Sequence, residues 1–336
     1  MKSLAAALVA LAVPAAAASA GPVLDEIKER GKLRCGIYEN VPALATLDDK
    51  GQWQGFDVDY CKALAAAIFG DPSKVEYVTM TFAQGMPAVK SREVDMAGLA
   101  ITYTIGRDGE LGFDFVGPTL YSGHGFMVHK RSGAEKIEDL DGATICVVAG
   151  TLTDSLISDY FKARGMEYTP VAFENTNQRY EYYENGRCDV VTSEIPFLGT
   201  RRLRMKNPDD HLIMAETFAK SHMGPVVIDV DPQWSAIARW VHYALVQADE
   251  FGINQDNLDE MLATDDPELQ RFLGITESIG ENLGLPNDFT VAILRAVGNY
   301  DDVWERNFGM ESPVQLPRGM NALVEDGGLQ WAPNWR

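Results

Sequence analysis

The sequence predicts an α/β protein of two lobes joined by a hinge, with a helical or irregular extension at the carboxyl end. Its 336 residues are enough for about two domains of roughly 150 residues each. Hydrophobic residues make up 46% of the chain and aromatic residues 10%, which is typical of globular proteins and excludes intrinsic disorder. Short apolar runs alternate with helical periodicity, and this alternation occurs twice along the chain.

The first lobe begins with a predicted strand over residues 33–37. The helix after it has an apolar face formed by Val58, Cys61, Leu64, Ala65 and Ile68. Apolar runs over residues 75–81 and 94–100 predict two further strands.

The second lobe repeats the alternation. Its predicted strands cover residues 125–129, 144–149, 168–173 and 188–193, and its helix has an apolar face of Leu156, Ile157, Tyr160 and Phe161. A strand over 225–230 and a helix with Ile237, Val241, Ala244 and Leu245 on one face return the chain to the first lobe. We therefore expect lobe 1 at 21–122 and 223–266, lobe 2 at 123–222, and the extension at 267–336.

Residues 1–20 have the pattern of a secretory signal. Lys2 precedes an apolar run over 4–13, and small residues end the segment at Ala18-Ser19-Ala20. The alternative is a membrane anchor, but about 10 apolar residues are fewer than the ~20 that a spanning helix needs. The sequence predicts export and cleavage after Ala20.

The charge of the chain is strongly negative. It carries 29 Lys and Arg against 49 Asp and Glu, a net charge of -20. Such a chain repels a phosphate backbone, and no block of basic residues offsets this locally. Nucleic acid is therefore excluded as a partner.

Four cysteines, Cys35, Cys61, Cys146 and Cys188, are present without CxxC spacing. No histidine lies at a ligand interval from one of them, so no metal site is predicted. In an oxidising compartment an even number favours disulfides, and four cysteines permit three pairings. We favour the pairs that are local in sequence, Cys35 with Cys61 and Cys146 with Cys188, over the other pairings and over free thiols.

Two segments carry groups that bind anions. Thr102 and Arg107 follow the predicted strand 94–100, where a guanidinium and a hydroxyl are able to hold a carboxylate; the alternative is a surface arginine. Thr151, three residues before Asp154, is a predicted N-cap, which leaves the N–H groups of Leu152 and Thr153 at a positive helix end.

A third segment ends in Glu194, directly after the predicted strand 188–193. A carboxylate at a strand's carboxyl end faces the place where α/β proteins bind ligands, although most glutamates are simply solvated. A carboxylate clamp, an anion-binding helix end and a carboxylate for an ammonium together match an α-amino acid.

Separated sequence matches over the whole mature chain resemble one family. They are Gly55-Phe56-Asp57-Val58-Asp59, Thr102-Tyr103-Thr104 with Arg107, Gly186-Arg187-Cys188-Asp189, Ala296-Val297-Gly298-Asn299-Tyr300, Arg318-Gly319-Met320-Asn321-Ala322 and Gly327-Gly328-Leu329-Gln330. The chain resembles periplasmic solute-binding proteins of the polar amino-acid ABC transport class, in particular the branch that binds general L-amino acids or glutamate, glutamine, aspartate and asparagine. All four cysteines lie where that branch has them.

The resemblance implies a periplasmic binding protein of type II that has no enzymatic activity and no cofactor. Such a protein is a monomer that captures a free amino acid by hinge closure and delivers it to an inner-membrane ABC permease. It implies that Arg107, Thr102 and the N–H groups beside Thr151 hold the α-carboxylate. It also implies that the carbonyl of Ala100 and the carboxylate of Glu194 hold the ammonium.

The ligand side chain is expected against a largely apolar wall. The residues that the resemblance places there are Tyr38, Val41, Phe82, Leu99, Ala100 and Leu152. The family usually has Asp at the position of Glu194, a hydroxyl residue at Leu152 and, in this branch, an Arg-Asn pair at Leu99-Ala100. We therefore predict a preference for uncharged side chains, unless the loop before Phe82 is placed so that Gln84 or Lys90 enters the pocket.

Two other functions fit part of the pattern. Exported cyclohexadienyl or arogenate dehydratases share this fold, and Glu194 is compatible with a general acid. The long carboxy-terminal region and the four cysteines follow the transport branch instead. A receptor ectodomain would require a transmembrane segment, and no later stretch of the sequence is long and apolar enough.

Overall fold

The computed structural model describes residues 21–149, 151–173 and 176–336. The predicted signal peptide and its cleavage after Ala20 lie outside the described residues. None of the described helices is long and apolar enough to cross a membrane.

The described chain contains strands and helices in alternation, followed by helices. The strands are β1 (Leu33–Tyr38), β2 (Thr46–Leu47), β3 (Trp53–Gln54), β4 (Val75–Met80), β5 (Met96–Thr102), β6 (Phe113–Phe115), β7 (Leu120–His129), β8 (Thr144–Val148), β9 (Thr169–Phe173), β10 (Val190–Glu194), β11 (His211–Ile213) and β12 (Ala219–Ile228). The α-helices are α1 (Pro22–Arg30), α2 (Phe56–Phe69), α3 (Phe82–Lys90), α4 (Leu152–Arg164), α5 (Thr176–Glu184), α6 (Ile195–Arg202), α7 (Pro232–Glu250), α8 (Leu258–Met261), α9 (Pro267–Phe272), α10 (Ile279–Asn282), α11 (Phe289–Val297) and α12 (Tyr300–Asn307).

Most strands belong to one mixed sheet in the order β4-β1-β5-β12-β7-β10-β8-β9, with β6 also paired to β12 and β11 to β7. The pairs β1–β4 and β8–β9 are parallel, as α/β units require. We call the part around β4, β1 and β5 lobe 1, and the part around β10, β8 and β9 lobe 2.

Two long antiparallel strands connect the lobes. β7 and β12 pair with each other from Leu120–Met223 to His124–Ala219. Beyond this stretch β12 pairs with β5 and β6, whereas β7 pairs with β10 and β11. Both strands begin several residues before the predicted positions 125 and 225, and the lobe boundaries predicted at 122/123 and 222/223 fall inside them.

Lobe 1 has one large core, into which the carboxy-terminal segment packs. Helices α2 and α7 share this core with aromatic side chains from the segment, namely Phe272, Phe289, Tyr300, Trp304, Phe308 and Trp335. Asp231 is buried and caps α7 by accepting from the N–H groups of Gln233 and Trp234. The same carboxylate accepts from the N–H of Val23 in α1, which fixes the start of the lobe.

Lobe 2 has two smaller cores, one on each face of its strands. One contains Phe126, Ile157 and Phe161, and the other contains Tyr183 and Leu198. Disulfides join Cys35 to Cys61 in lobe 1 and Cys146 to Cys188 in lobe 2. The pairing favoured from the sequence is confirmed, and each bridge lies within one lobe.

Candidate functional site

The lobe 1 side of the site starts at an irregularity in β5. Met223 and Gly224 of β12 pair with Thr102 and Ile101, but Val226 pairs with Ala97. β5 therefore has extra residues at this point, and residues 98–100 lie outside the register. Ala100 has a φ of 44°, a left-handed conformation that is costly for a residue with a Cβ. Because the strand bulges here, Ala100 lies outside the regular β5–β12 ladder.

Arg107 lies in a short π-helical segment, Gly106–Glu110, that follows β5. Its Nη1 donates to the carbonyl of Thr102 at 2.6 Å, and its guanidinium carbon lies 5.4 Å from the centre of the Phe82 ring. Burial lowers the pKa of Arg107, and the charge of Glu194 acts in the opposite direction. The arginine is thus half-buried and held from two sides, with guanidinium N–H groups left over for an anion.

The hydroxyl of Thr102 is buried and lies 3.4 Å from the hydroxyl of Ser221 on β12. The carbonyl of the same residue holds Arg107. Thr102 therefore orients the guanidinium through its backbone, and its hydroxyl lies at the junction of β5 and β12.

On the lobe 2 side, α4 begins as the sequence predicts. Thr151 is the N-cap. Its hydroxyl oxygen accepts a hydrogen bond from the N–H of Asp154 at 3.3 Å. The same hydroxyl donates to the carbonyl of Val148 at 2.8 Å. The N–H groups of Leu152 and Thr153 belong to the first helical turn, whose donors an α-helix does not satisfy internally.

Glu194 ends β10 and precedes α6. Its Oε2 accepts from the hydroxyl of Ser193 at 3.1 Å, and its Oε1 lies 3.9 Å from Nδ1 of His124. His124 is fully buried and also contacts the hydroxyl of Thr153 at 3.0 Å. Burial lowers the pKa of His124, while Glu194 opposes this shift. Thr153 next to the helix end and Glu194 are therefore linked through one imidazole.

Tyr38 connects the two sides electrostatically. Burial raises the pKa of its hydroxyl most strongly; Glu194 raises it further, and Arg107 and Arg201 lower it. The phenol therefore interacts electrostatically with Arg107 of lobe 1 and with Glu194 of lobe 2. Its ring packs edge-on against Phe197 of α6, with ring centres 6.0 Å apart.

The lobes also touch at the rim of the cleft. Nη2 of Arg204, in lobe 2, donates to both the carbonyl and the side-chain oxygen of Asn40 in lobe 1, each at 2.8 Å. This exposed contact and the Tyr38–Phe197 packing describe a closed arrangement, in which the two lobes contact each other over the site.

Comparison with known proteins places this geometry in one family. The family model of bacterial extracellular solute-binding proteins, family 3, matches residues 33–273. The chain belongs to this family. It is 45% identical over 325 residues to the general L-amino acid-binding periplasmic protein AapJ of Rhizobium johnstonii, covering 96% of this chain and 95% of that protein.

Two further similar proteins match nearly the whole length of this solute-binding protein. The glutamate/glutamine/aspartate/asparagine-binding protein BztA of Rhodobacter capsulatus is 43% identical over 329 residues, which cover 98% of this chain and 97% of that protein. A periplasmic binding protein of an ABC transporter from Brucella ovis, solved with glutathione bound, is 43% identical with a TM-score of 0.89. That match covers 93% of this chain and 99% of the other. The predicted family and bilobal type II fold are confirmed.

The expected wall residues of this solute-binding protein occupy different environments. Phe82 and Leu152 are 40% and 39% exposed, so both present apolar surface. Leu99 is fully buried in a core cluster with Val89 and Phe113, so its side chain does not line the cleft. Val41 also belongs to the lobe 1 core.

Gln84 and Lys90 are engaged outside the cleft wall. Gln84 accepts from the N–H and hydroxyl of Thr81 in a capping box, and Lys90 donates to the carbonyl of Leu111. The alternative in which one of them supplies a polar group to the pocket gains no support from these contacts.

Sequence reasoning missed His124, Ser193 and Phe197 as site residues, and it named the backbone N–H of Thr153 but not its hydroxyl. Strand register offers a signal for one of them, because His124 pairs directly with Glu194 across β7 and β10. Among the described residues no group of His, Cys, Asp and Glu is arranged to hold a metal ion.

Proposed function

We propose that this solute-binding protein is the substrate-binding component of an ABC transporter, which captures a free amino acid between its lobes and delivers it to an inner-membrane permease. The observation that carries the proposal is that the ring of Tyr38 in lobe 1 packs on Phe197 of lobe 2 at 6.0 Å, where the charges of Arg107 from lobe 1 and Glu194 from lobe 2 both act on its hydroxyl. A zwitterion neutralises both charges at once. A ligand without one of its charges leaves a desolvated partner unpaired, which is strongly unfavourable.

In the proposed complex the α-carboxylate lies between the guanidinium of Arg107 and the N–H groups after Thr151. Thr102 supports the arginine through its carbonyl. The ammonium lies between the carbonyl of Ala100, which the bulge in β5 turns out of the ladder, and the carboxylate of Glu194. Both ends of the amino acid then bridge the two lobes, so that binding stabilises closure.

For the ligand side chain we propose that uncharged groups are preferred. Phe82 and Leu152 offer exposed apolar surface on opposite sides, and Tyr38 and Phe197 pack across the cleft. Apolar contact gains about 25 cal/mol per Å², whereas a buried carboxylate without a partner costs several kcal/mol. Glutamate at least tenfold tighter than leucine and phenylalanine would contradict this and would point to Arg201 as the partner of a second carboxylate.

The remaining parts of the proposal concern location and organisation. We propose that the protein is periplasmic after cleavage at Ala20, acts as a monomer, and has lobes at 21–122 with 223–266 and at 123–222, with the extension at 267–336. We also propose that it catalyses no reaction, since the similar proteins are named for binding. Incubation with prephenate or arogenate should yield no phenylpyruvate or phenylalanine; either product would support the dehydratase alternative.

The central experiment is a thermal-shift screen of refolded, ligand-free protein against the twenty amino acids and glutathione. A ligand at 100 times its Kd stabilises by about 2.7 kcal/mol. Glutathione belongs in the screen because its glutamyl end keeps a free α-amino and α-carboxyl group. N-acetylated and amidated forms of the best ligand are the controls and should give no shift. Absence of a shift with all twenty-one compounds would overturn the proposal.

A further inference from the structure

A chain of buried polar groups lies behind Glu194 in lobe 2. Arg179 on α5 donates from Nη2 to the hydroxyl oxygen of Ser193 at 3.1 Å, and Ser193 donates to Oε2 of Glu194 at 3.1 Å. Arg179 also donates from Nη1 to the carbonyl of Thr192 at 2.7 Å. Arg179 and Ser193 are only 5% and 4% exposed, so this chain is shielded from water.

The direction of these hydrogen bonds is fixed by chemistry. A guanidinium has donors only, so the hydroxyl oxygen of Ser193 must accept from Arg179. An ionised carboxylate has acceptors only, so the hydroxyl hydrogen of Ser193 must point to Glu194. The positive charge of Arg179 therefore polarises the hydroxyl toward Glu194, which strengthens the bond to a charged carboxylate.

Arg179 is an unusual residue to bury in this way. In the described part of the chain its guanidinium contacts only neutral acceptors, on Tyr180, Thr192 and Ser193, and its Nε has no partner there. A buried cation without a paired anion is destabilising. Its retention is explained if the cation acts on Glu194 through Ser193.

His124 contacts the same carboxylate from the other side. Its Nδ1 lies 3.9 Å from Oε1 of Glu194 and 3.0 Å from the hydroxyl of Thr153. The Glu194 carboxylate is 18% exposed; its Oε2 accepts from Ser193, and its Oε1 lies next to the imidazole of His124. The longer side chain found here in place of the family's aspartate is thereby held in one position.

We propose that Arg179 is a positioning residue that keeps the carboxylate of Glu194 aimed at the ligand ammonium, so that lobe 2 distinguishes amino acids from their deaminated analogues. This rests on the proposed function, in which Glu194 binds the ammonium. Arg179 does not touch the ligand; it acts through the hydroxyl of Ser193.

The test compares two ligands rather than one. The probes are the amino acid that gives the largest thermal shift in the screen above and the 2-hydroxy acid with the same side chain. Calorimetry on the full mature protein gives the ratio of their affinities. We expect wild type to favour the amino acid at least tenfold, and Arg179→Met to lower this ratio at least tenfold. Arg179→Lys, which keeps a cation, should restore part of the ratio.

Arg187→Met is the matched control, because Arg187 lies in the same lobe and also stacks on a tyrosine, Tyr182, but is exposed. Its ratio should stay within threefold of wild type. Ser193→Ala removes the relay but leaves Arg179 in place, and should lower the ratio as Arg179→Met does. It also serves as the deciding variant if Arg179→Met does not fold.

The outcomes are separable. Equal weakening of both probes, with the ratio kept within threefold in the folded variants, would show a merely structural role and overturn this inference alone. A wild-type protein that binds both probes equally would reject the role of Glu194 and this inference with it. A wild-type protein that binds no amino acid would overturn the proposed function itself.

Discussion

Lobe 1 and lobe 2 differ in how they are held together. Lobe 1 has a large apolar core that includes the carboxy-terminal segment, besides a smaller cluster around Leu99, whereas lobe 2 has two small clusters. Lobe 2 instead buries the polar chain around Glu194. The comparison indicates that more apolar burial stabilises lobe 1, and that lobe 2 contains the polar groups to which the proposed function assigns ligand recognition.

The carboxy-terminal segment adds ion pairs to lobe 1. Arg318 pairs with Asp249 at 2.7 Å and with Asp301 at 2.8 Å, and it is only 16% exposed. The segment also reaches the connecting strand β7, where the side-chain amide of Asn321 accepts from the N–H of Tyr121 at 2.7 Å and donates to its carbonyl at 2.9 Å. The carboxy-terminal segment therefore extends the packing of lobe 1 as far as the strand that connects the two lobes.

The largest expected effect is on binding. Arg107→Ala should weaken the affinity for the best amino acid by about 30-fold or more, because losing a charge pair to a buried carboxylate costs on the order of 2–5 kcal/mol. Calorimetry gives the affinity, and the unfolding midpoint should stay near that of wild type. Arg239→Ala is the matched control, since Arg239 is a lobe 1 arginine already paired with Asp114 at 2.7 Å. Unchanged affinity in Arg107→Ala would reject the clamp.

Removing each disulfide tests where the stability lies. The bridges are separated by 26 residues in lobe 1 and 42 in lobe 2, so loop-closure entropy predicts losses of about 3.5 and 4 kcal/mol respectively. Replacing Cys146 and Cys188 with Ala should unfold lobe 2 first, because its cores are small. Hydrogen exchange should then show lost protection confined to lobe 2. If the double variant at Cys35 and Cys61 lost more free energy of unfolding than the one at Cys146 and Cys188, lobe 1 rather than lobe 2 would depend more on its disulfide.

Acid should act on lobe 1 through His242. Burial lowers the pKa of His242 to about 3, and its Nδ1 lies 2.9 Å from the hydroxyl of Tyr60. The unfolded chain takes up this proton below about pH 6.5 and the folded one does not, so the free energy of unfolding falls as pH drops from about 6.5 to 3. From pH 7.5 to 4.5 this histidine should account for about 3 kcal/mol, with almost no contribution above pH 7.5.

The variant His242→Gln isolates this effect, because the amide accepts from Tyr60 but does not titrate. Urea unfolding at pH 7.5 and 4.5 should show a smaller loss of stability in the variant than in wild type. His124 of lobe 2 has Glu194 to oppose its shift, so His124 should contribute less. Parallel losses in wild type and His242→Gln would contradict the assignment to lobe 1.

The smallest effect concerns the contact between the carboxy-terminal segment and lobe 2. Val314 packs against α6 at Gly199, where an added Cβ would lie 3.0 Å from its Cγ1. Val314→Ala should weaken ligand affinity about threefold to tenfold, because this contact favours the closed arrangement of the lobes. Val291→Ala, in α11 of the same segment, contributes to the lobe 1 core and should change stability without changing affinity. If Val314→Ala and Val291→Ala both bound the ligand as tightly as wild type, Val314 would stabilise lobe 1 without favouring closure of the lobes.

The sequence predicts the elements well where burial is apolar. β1, β4, β8 and β9 lie within one or two residues of the predicted ranges, because each is a short run rich in β-branched, aromatic or other apolar residues. The extra lengths of β7 and β12 were missed because those stretches, such as Tyr121-Ser122-Gly123-His124, are polar or small where they cross between the lobes.

The site was predicted less completely than the fold, for two physical reasons. The bulge in β5 breaks the alternation of side chains, which is why Leu99 lies in the core rather than on the cleft wall. The polar chain around Glu194 joins residues far apart in sequence, such as His124 and Arg179, and single-chain periodicity does not reveal such pairs. The disulfides were predictable because both pairs are local.

Helix α7 anchors both ends of the described chain. The N–H of Gly21 donates to the side chain of Gln233 at 2.8 Å, and Trp335 packs on Trp240 with ring centres 5.1 Å apart. A fluorescent protein fused near Gly21 or Trp335 would therefore move with lobe 1. Its distance from a dye attached to the surface of lobe 2 would change as the cleft closes. This change in distance would make the protein suitable as an optical sensor of the solute that it binds.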